Sequence, residues 1–261
     1  MIIDSHAHVI VPVEKHIALM DESGVDKTIL FSTSIHPEKA HGLNEFEKEL
    51  NKLYEIISGK TNSIATKIAS IHEQSKVIKK YPSRFYGFGS IPLGLDYENT
   101  ASWIEQYVIK NNFIGLGEFT ISPGEIGKLE SVFRASHDFS NLPLWIHGFW
   151  PLELNDIKEI FNLSKKYPEV PVIIGHLGGV NWLDVIKLTK KTKNVYIDLS
   201  AFYATIALRM TIKELPEKCL FSTDLPYGDL LVSKFAIERV CKDKFIREQV
   251  LGGNIQRLLK L

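Results

Sequence analysis

The chain has 261 residues, of which 44% are hydrophobic, so it can bury a large core as two ordinary domains or as one α/β barrel. Its 31 basic and 31 acidic residues leave no net charge, and no apolar run is long enough to span a membrane. Cys219 and Cys241 are its only cysteines, which excludes a disulfide framework and favours a cytoplasmic setting. We therefore expect a small-molecule partner and neither nucleic acid nor a membrane, with a homo-oligomer left open.

Eight apolar stretches rich in β-branched residues recur along the chain and end in polar or glycine-containing residues. In chain order they cover residues 1–9, 25–32, 85–92, 113–120, 142–149, 171–178, 195–201 and 219–226. Segments with helical periodicity, such as 13–24, 151–167 and 229–243, lie between most of them. Strands that alternate with helices predict a parallel sheet, because parallel neighbours need a crossover connection. Eight such units predict a (β/α)8 TIM barrel, with residues 1–261 as one domain.

The second connection is about twice as long as the others, so we expect residues 34–82 to carry a helical insertion. Its pattern predicts two amphipathic helices with a break near Ser58 and Gly59. Because the insertion follows the second strand, it should lie on the face where the strands have their carboxyl ends. Active sites of such barrels lie on this face, and the insertion could shape or cover the site.

Side chains of metal-ligand type stand near the predicted carboxyl ends of five strands. His6 and His8 are two residues apart on the first strand, so their side chains project from the same face. The full set is His6, His8, Glu118, His147, His176 and Asp224. Imidazoles and carboxylates without a thiolate suit zinc, and manganese, iron or nickel nearly as well. The sequence therefore predicts a metal centre at this rim.

Several motifs resemble the amidohydrolase superfamily, specifically its amidohydrolase-related branch. They are DSHAH at the start, GLGEF, PLWIHGF, IIGHLGG, FSTDLPYGD and the closing VLGGNIQRLLKL, which together span essentially the whole chain. The branch includes hydrolases, lactonases and non-oxidative decarboxylases. By this resemblance His6, His8 and Asp224 hold one metal, and His147 ligates the same metal or a second one.

Glu118 bears on the number of metals that the resemblance implies. A carboxylate at the fourth strand resembles the bridging ligand of two-metal members such as the TatD-type nucleases, whereas the decarboxylases typically work with one metal. In a one-metal site His176 would be a base or a hydrogen-bond donor instead of a ligand. We expect a divalent metal, with zinc as the first choice and two ions per chain favoured over one.

The expected activity is hydrolysis of a small amide, ester or lactone by a metal-activated hydroxide. Asp224 can take the proton of the attacking water and deliver it to the leaving group, so Asp224 and His176 are the predicted catalytic residues. The alternative is a metal-dependent, non-oxidative decarboxylase of a small unsaturated or aromatic carboxylic acid. A non-catalytic binding protein ranks below both.

Aromatic residues that follow the predicted strand ends indicate an apolar pocket beside the metal centre. They are Phe119, Phe149, Trp150, Trp182 and Tyr227. Asp4 is expected to support the centre by hydrogen bonding, because metal-bound imidazoles usually need such partners.

Overall fold

Eight parallel strands form the centre of the fold. A computed structural model describes residues 1–58 and 63–261, and its sheet runs from β1 to β8 in chain order. The strands are β1 Ile3–His8, β2 Lys27–Phe31, β3 Phe85–Gly89, β4 Gly115–Phe119, β5 Leu144–Ile146, β6 Val172–Ile174, β7 Val195–Asp198 and β8 Cys219–Leu220. Each strand lies parallel to the next, which confirms the predicted (β/α)8 barrel.

Helices connect the strands and cover the outside of the barrel. They are α1 Val13–Ser23, α2 Leu43–Ile57, α3 Ile64–Lys80, α4 Tyr97–Trp103, α5 Glu130–Asp138, α6 Leu154–Lys166, α7 Trp182–Lys190, α8 Thr205–Glu214, α9 Leu230–Val240, α10 Lys244–Glu248 and α11 Asn254–Leu259. Their apolar faces pack on outward-facing strand residues such as Leu116, Ile146 and Val172. Within the described ranges, none of these helices combines the length and the apolar character that a membrane span requires.

The barrel interior is filled with large apolar side chains. Phe31, Phe88 and Trp145 are fully buried there and pack together in one cluster. Gly175 leaves room for this packing, since a Cβ atom at its position would lie 2.1 Å from the Trp145 ring. The filled interior provides an apolar floor beneath the carboxyl ends of the strands.

Backbone hydrogen bonds between the segment after β8 and β1 close the barrel. The amide of Ser5 donates to Phe221 O at 2.8 Å, and the amide of His8 donates to Leu225 O at 2.7 Å. A parallel bridge joins Ala7 to Leu225. The last strand therefore meets the first, as the predicted barrel requires.

The buried carboxyl group of Asp4 reinforces this closure. Its Oδ1 accepts hydrogen bonds from the amides of Thr223 at 3.0 Å and His6 at 3.2 Å, and its Oδ2 lies 2.7 Å from Thr223 Oγ1. Asp4 thus joins β1, which carries His6, to the segment that leads to Asp224.

The long connection between β2 and β3 contains α2 and α3. α3 packs along β3, and its buried Gln74 donates to Leu30 O at 2.6 Å and to Phe88 O at 2.9 Å. α3 therefore occupies the position of an ordinary crossover helix, and the additional element is the segment that carries α2. The predicted break falls after α2, where Ser58 follows Ile57, while Gly59 lies outside the described residues.

Several strands end earlier than the sequence predicts. β6 ends at Ile174 and β8 at Leu220, so His176 and Asp224 lie beyond the regular strands. These two residues have φ angles of 54° and 59°, in the left-handed region that a strand cannot contain. The chain therefore turns at the rim where these side chains are placed.

The pH dependence of folding provides a test of the Asp4 contact. Burial raises the pKa of Asp4 from 3.8 to about 8, against the opposing hydrogen bonds from Thr223 and His6. In metal-free protein the folded state therefore keeps a proton that the unfolded chain loses, and this group's contribution to stability falls as pH rises between these values. As pH rises, we expect the unfolding free energy of Asp4→Asn to increase relative to that of wild type, by up to about 1.4 kcal/mol for each pH unit. Urea unfolding with a chelator at pH 5 and pH 8 measures this difference.

Asp4→Ala is the matched control, because it removes the hydrogen-bond acceptor together with the charge. It should be less stable than Asp4→Asn at both pH values, by about 1–3 kcal/mol, since buried donors lose their partner. If the difference between wild type and Asp4→Asn is the same at pH 5 and pH 8, the raised pKa is wrong.

Candidate metal centre

His6, His8 and Asp224 bring three potential ligand atoms together at the rim of the barrel. Asp224 Oδ1 lies 3.8 Å from His6 Nε2 and 3.3 Å from His8 Nε2. Ligands at about 2.1 Å from a four- or six-coordinate metal are separated from their neighbours by about 3.0–3.4 Å. The observed separations are close to these values, so the three residues have an arrangement that a metal could occupy.

The hydrogen bonding of the two histidines fits a metal. Neither ring nitrogen of His6 has a hydrogen-bond partner among the described residues, and His8 Nδ1 also lacks one. The nearest carboxylate to His6 Nδ1 is that of Asp198, whose Oδ2 lies 3.5 Å away, too far for a good hydrogen bond. A buried polar atom without a partner costs about 1–3 kcal/mol. A cation bound at Nε2 would remove one such cost, so the donor set suits a divalent metal.

Glu118, His147 and His176 form a second group of potential ligands. Glu118 Oε1 lies 2.8 Å from His147 Nδ1 and 3.4 Å from His176 Nε2, and these two nitrogens are 3.1 Å apart. The other oxygen, Oε2, lies 3.5 Å from His8 Nε2 and 3.8 Å from His6 Nε2. Glu118 therefore stands between the two groups, with one carboxylate oxygen towards each.

Charges compensate one another within the second group. Burial raises the pKa of Glu118, but hydrogen bonds from His147 and His176 outweigh it and hold the pKa well below its ordinary value. Burial lowers the pKa of His176, but the charge of Asp224 and the hydrogen bond to Glu118 raise it to about 9. In metal-free protein at neutral pH, Glu118 is therefore ionised and His176 carries a proton on each nitrogen.

Neighbouring oxygen atoms orient both imidazoles of the second group. His147 Nε2 lies 3.0 Å from the carbonyl oxygen of Trp150. His176 Nδ1 lies 2.9 Å from Ser200 Oγ, which itself donates to Asp198 Oδ1 and so accepts from His176. Each ring is thereby held with its other nitrogen directed at Glu118.

Asp198, at the end of β7, is a site residue that the sequence analysis did not identify. Its Oδ1 accepts from the amides of His176 at 3.1 Å and Ser200 at 2.9 Å, and its Oδ2 accepts from Trp145 Nε1 at 3.2 Å. Burial raises its pKa, but the contacts with His6, His176 and Ser200 together outweigh burial and bring the pKa to about 2. The available signal was an acid inside the otherwise apolar stretch 195–201.

A cavity of about 1070 Å³ opens above both groups. Its floor includes potential ligands from both groups, namely His8, Glu118, His147, His176 and Asp224. α2 supplies much of its wall, through Leu53, Tyr54, Ile56 and Ile57. The cavity thus combines a charged floor with largely apolar walls, as expected of a site for a small molecule.

Three of the predicted pocket residues line this cavity: Phe149, Trp150 and Tyr227. Phe119 is instead buried in the core between the sheet and the helices. It follows Glu118 directly on β4, so its side chain points to the opposite face of the strand. Trp182 begins α7 on the outside of the barrel and packs against the core, away from the cavity.

Comparison with known proteins identifies relatives of this fold. The family model described as amidohydrolase matches residues 3–261, whereas a search of curated proteins found no match. The 5-carboxyvanillate decarboxylase from Sphingomonas paucimobilis is similar, with 17% identity and a TM-score of 0.71 over 100% of this chain and 99% of that chain.

Two further solved structures resemble the chain over nearly its whole length. The 2,6-dihydroxybenzoate decarboxylase from Rhizobium has 15% identity and a TM-score of 0.63, covering 99% of this chain and 98% of that chain. A dihydroxybenzoic acid decarboxylase from a Polaromonas species has 18% identity and a TM-score of 0.63, covering 100% and 97%, and holds manganese and 2-nitroresorcinol.

These comparisons correct the expected activity. The sequence analysis put hydrolysis first, but the three similar structures named above are decarboxylases, which favours the alternative. Histidines and acids at strand ends serve both reactions, so residue types alone favoured the wrong one. The same comparisons support a divalent metal and leave zinc without support, because the metal named in the Polaromonas structure is manganese.

The family itself follows from the extent of the sequence match. Residues 3–261 contain every strand of the barrel and all the potential ligands at its rim. The chain therefore belongs to the amidohydrolase family.

Proposed function

We propose that this protein is a metal-dependent, non-oxidative decarboxylase of an aromatic or unsaturated carboxylic acid. The observation that carries the proposal is the position of His176, whose Nε2 lies 3.4 Å from Glu118 Oε1, beside a set of potential metal ligands at the floor of a cavity with apolar walls. Such a floor can hold an anionic substrate and protonate it in one place. The fold shared with the decarboxylases named above supports the same conclusion.

The proposal assigns one divalent cation to His6, His8 and Asp224, with Glu118 Oε2 facing the same position. The unpartnered Nε2 of His6 supports this placement. In the second group the nitrogens and Glu118 can pair with one another without a metal, and Ser200 holds the other nitrogen of His176, so the proposal assigns His176 as an acid and not as a ligand. Manganese and zinc both suit such nitrogen and oxygen donors. When bound, the cation would attract the substrate carboxylate and a neighbouring oxygen.

His176 supplies the proton in this reaction. Ser200 holds its Nδ1, so Nε2 is the nitrogen that can deliver a proton to the carbon bearing the carboxylate. The bond from that carbon to the carboxylate then breaks, carbon dioxide leaves, and the bonding electron pair restores the π system of the product. Water returns a proton to His176, whose Nε2 lies beside the carboxylate of Glu118.

The walls of the cavity suit an aromatic ring. Phe149 and Trp150 follow β5 beside the floor, and Trp150 meets Tyr54 of α2 edge-to-face at 5.9 Å between ring centroids. We accordingly propose that α2 covers the cavity and limits water above the reacting carboxylate. In this proposal residues 1–261 form one domain. Loss of a charged carboxylate as neutral carbon dioxide is favoured where water is excluded.

Turnover of aromatic acids tests the proposed reaction. Manganese-loaded protein incubated with 2,6-dihydroxybenzoate or 5-carboxyvanillate in deuterated water should release carbon dioxide and place one deuterium at the vacated carbon. His176→Gln should lower the rate by about 10²–10⁴-fold, because it cannot deliver the proton. Headspace analysis and NMR of the product measure both effects. Cleavage of a lactone or amide, with no carbon dioxide from either acid, would exclude a decarboxylase.

Metal content tests the assignment of ligands. Elemental analysis of protein purified without chelators should find about one divalent ion per chain, and His6→Ala and His8→Ala should each lose it. His176→Gln is the matched control at the same rim and should retain the ion. Two ions in wild type, or loss of metal from His176→Gln, would instead make His176 a ligand.

A further inference from the structure

Lys67 of α3 brings a positive charge to the wall of the cavity. Its Nζ donates to Ser90 Oγ at 2.9 Å, and within residues 1–58 and 63–261 no ion pair joins it to a carboxylate. The remaining residues, 59–62, contain no acid. Lys52, which lines the same cavity, differs because it pairs with Glu49 at 2.5 Å.

The charge of Lys67 is buried beside a single hydroxyl group. Burial lowers the pKa of Lys67 to about 8, so the charged form carries a desolvation cost that no neighbouring acid offsets. Ser90 is 6% exposed, and its carbonyl accepts from Trp103 Nε1 at 3.0 Å, which fixes its position at the end of β3. Its hydroxyl accepts from Lys67 and keeps its own hydrogen for an acceptor in the cavity.

We infer that Lys67 and Ser90 form a subsite for a second carboxylate on the substrate, in the same cavity as the metal centre. The inference rests on the proposed function, in which the first carboxylate lies at the metal. An ammonium group and a hydroxyl group at 2.9 Å can donate together to one carboxylate. The preferred substrate would then be an aromatic dicarboxylic acid.

The apolar wall explains why an anion fits this position better than a neutral group. Ile56 and Ile57 line the cavity on the side of α2, and they offer no hydrogen bond to Lys67. A neutral ligand would leave the lysine charge uncompensated in this setting, whereas a carboxylate would neutralise it at short range. A monocarboxylate bound at the metal would leave the subsite unused.

Binding of simple acids tests this subsite without turnover. Isothermal titration of metal-loaded wild type at pH 7 should show that at least one of phthalate, isophthalate and terephthalate binds about 10-fold or more tightly than benzoate. In Lys67→Met this preference should fall to about 3-fold or less, with benzoate affinity unchanged. Lys52→Met is the matched control and should keep the preference, because Lys52 already has a partner. Ser90→Ala should reduce the preference in the same direction but less.

The wild-type comparison alone can overturn the inference. If benzoate and all three dicarboxylates bind equally, the subsite is wrong, whether or not Lys67→Met folds. The subsite is also wrong if both Lys67→Met and Ser90→Ala keep the preference for a dicarboxylate over benzoate. If the preference depends on Lys67 but no acid releases carbon dioxide, the subsite stands and the proposed reaction falls. If monocarboxylates release carbon dioxide without any such preference, the reaction stands and the subsite falls.

Discussion

Ionisable groups above an apolar floor are stable only where opposite charges or hydrogen bonds replace the lost water. His6 is the clearest case, because the rings of Trp145 and Phe31 lie 4.1 and 4.7 Å from its ring centroid and neither can solvate it. Carboxylate oxygens of Asp198 and Asp224 lie 3.5 and 3.8 Å from its two ring nitrogens. The protonation states at the rim follow from this constraint, since each buried carboxylate lowers the cost of a neighbouring positive charge. A cation bound between these groups adds to the same balance.

The barrel could be predicted from the sequence because its signals are local and repeated. Each strand is a short apolar stretch, and each connection is long enough for a helix. The alternation of side chains also placed His6 and His8 on one face, which the structure confirms by bringing both near Asp224. Strand ends were less predictable, because the left-handed turn at Asp224 depends on contacts across the closed barrel. Its amide donates to His6 O at 2.8 Å, a partner more than 200 residues away.

The chemistry was harder to predict than the set of residues. Asp198 acts through contacts with His6, His176 and Trp145, which lie on three other strands or their ends, and no sequence spacing connects them. The role of Glu118 was equally hard to assign from the sequence, since its position fits a bridging ligand as well as a partner for a protonated imidazole. Which role it takes depends on where the protons lie, and that depends on burial and neighbouring charges in three dimensions. The sequence therefore predicted residues that the structure brings together at one rim, but favoured hydrolysis over the alternative.

The potential metal ligands and the cavity wall come from different parts of this chain. The potential ligands lie on β1 and β4 and in the segments that follow β5, β6 and β8, at the rim of the barrel. The cavity wall comes largely from the connection between β2 and β3, which meets the barrel through Tyr54 and Trp150 and through Lys67 and Ser90. Substitutions in this connection can therefore alter the shape and charge of the wall without moving a ligand. Such a division lets the wall vary while the rim residues stay in place, because loops vary more readily than the strands that support them.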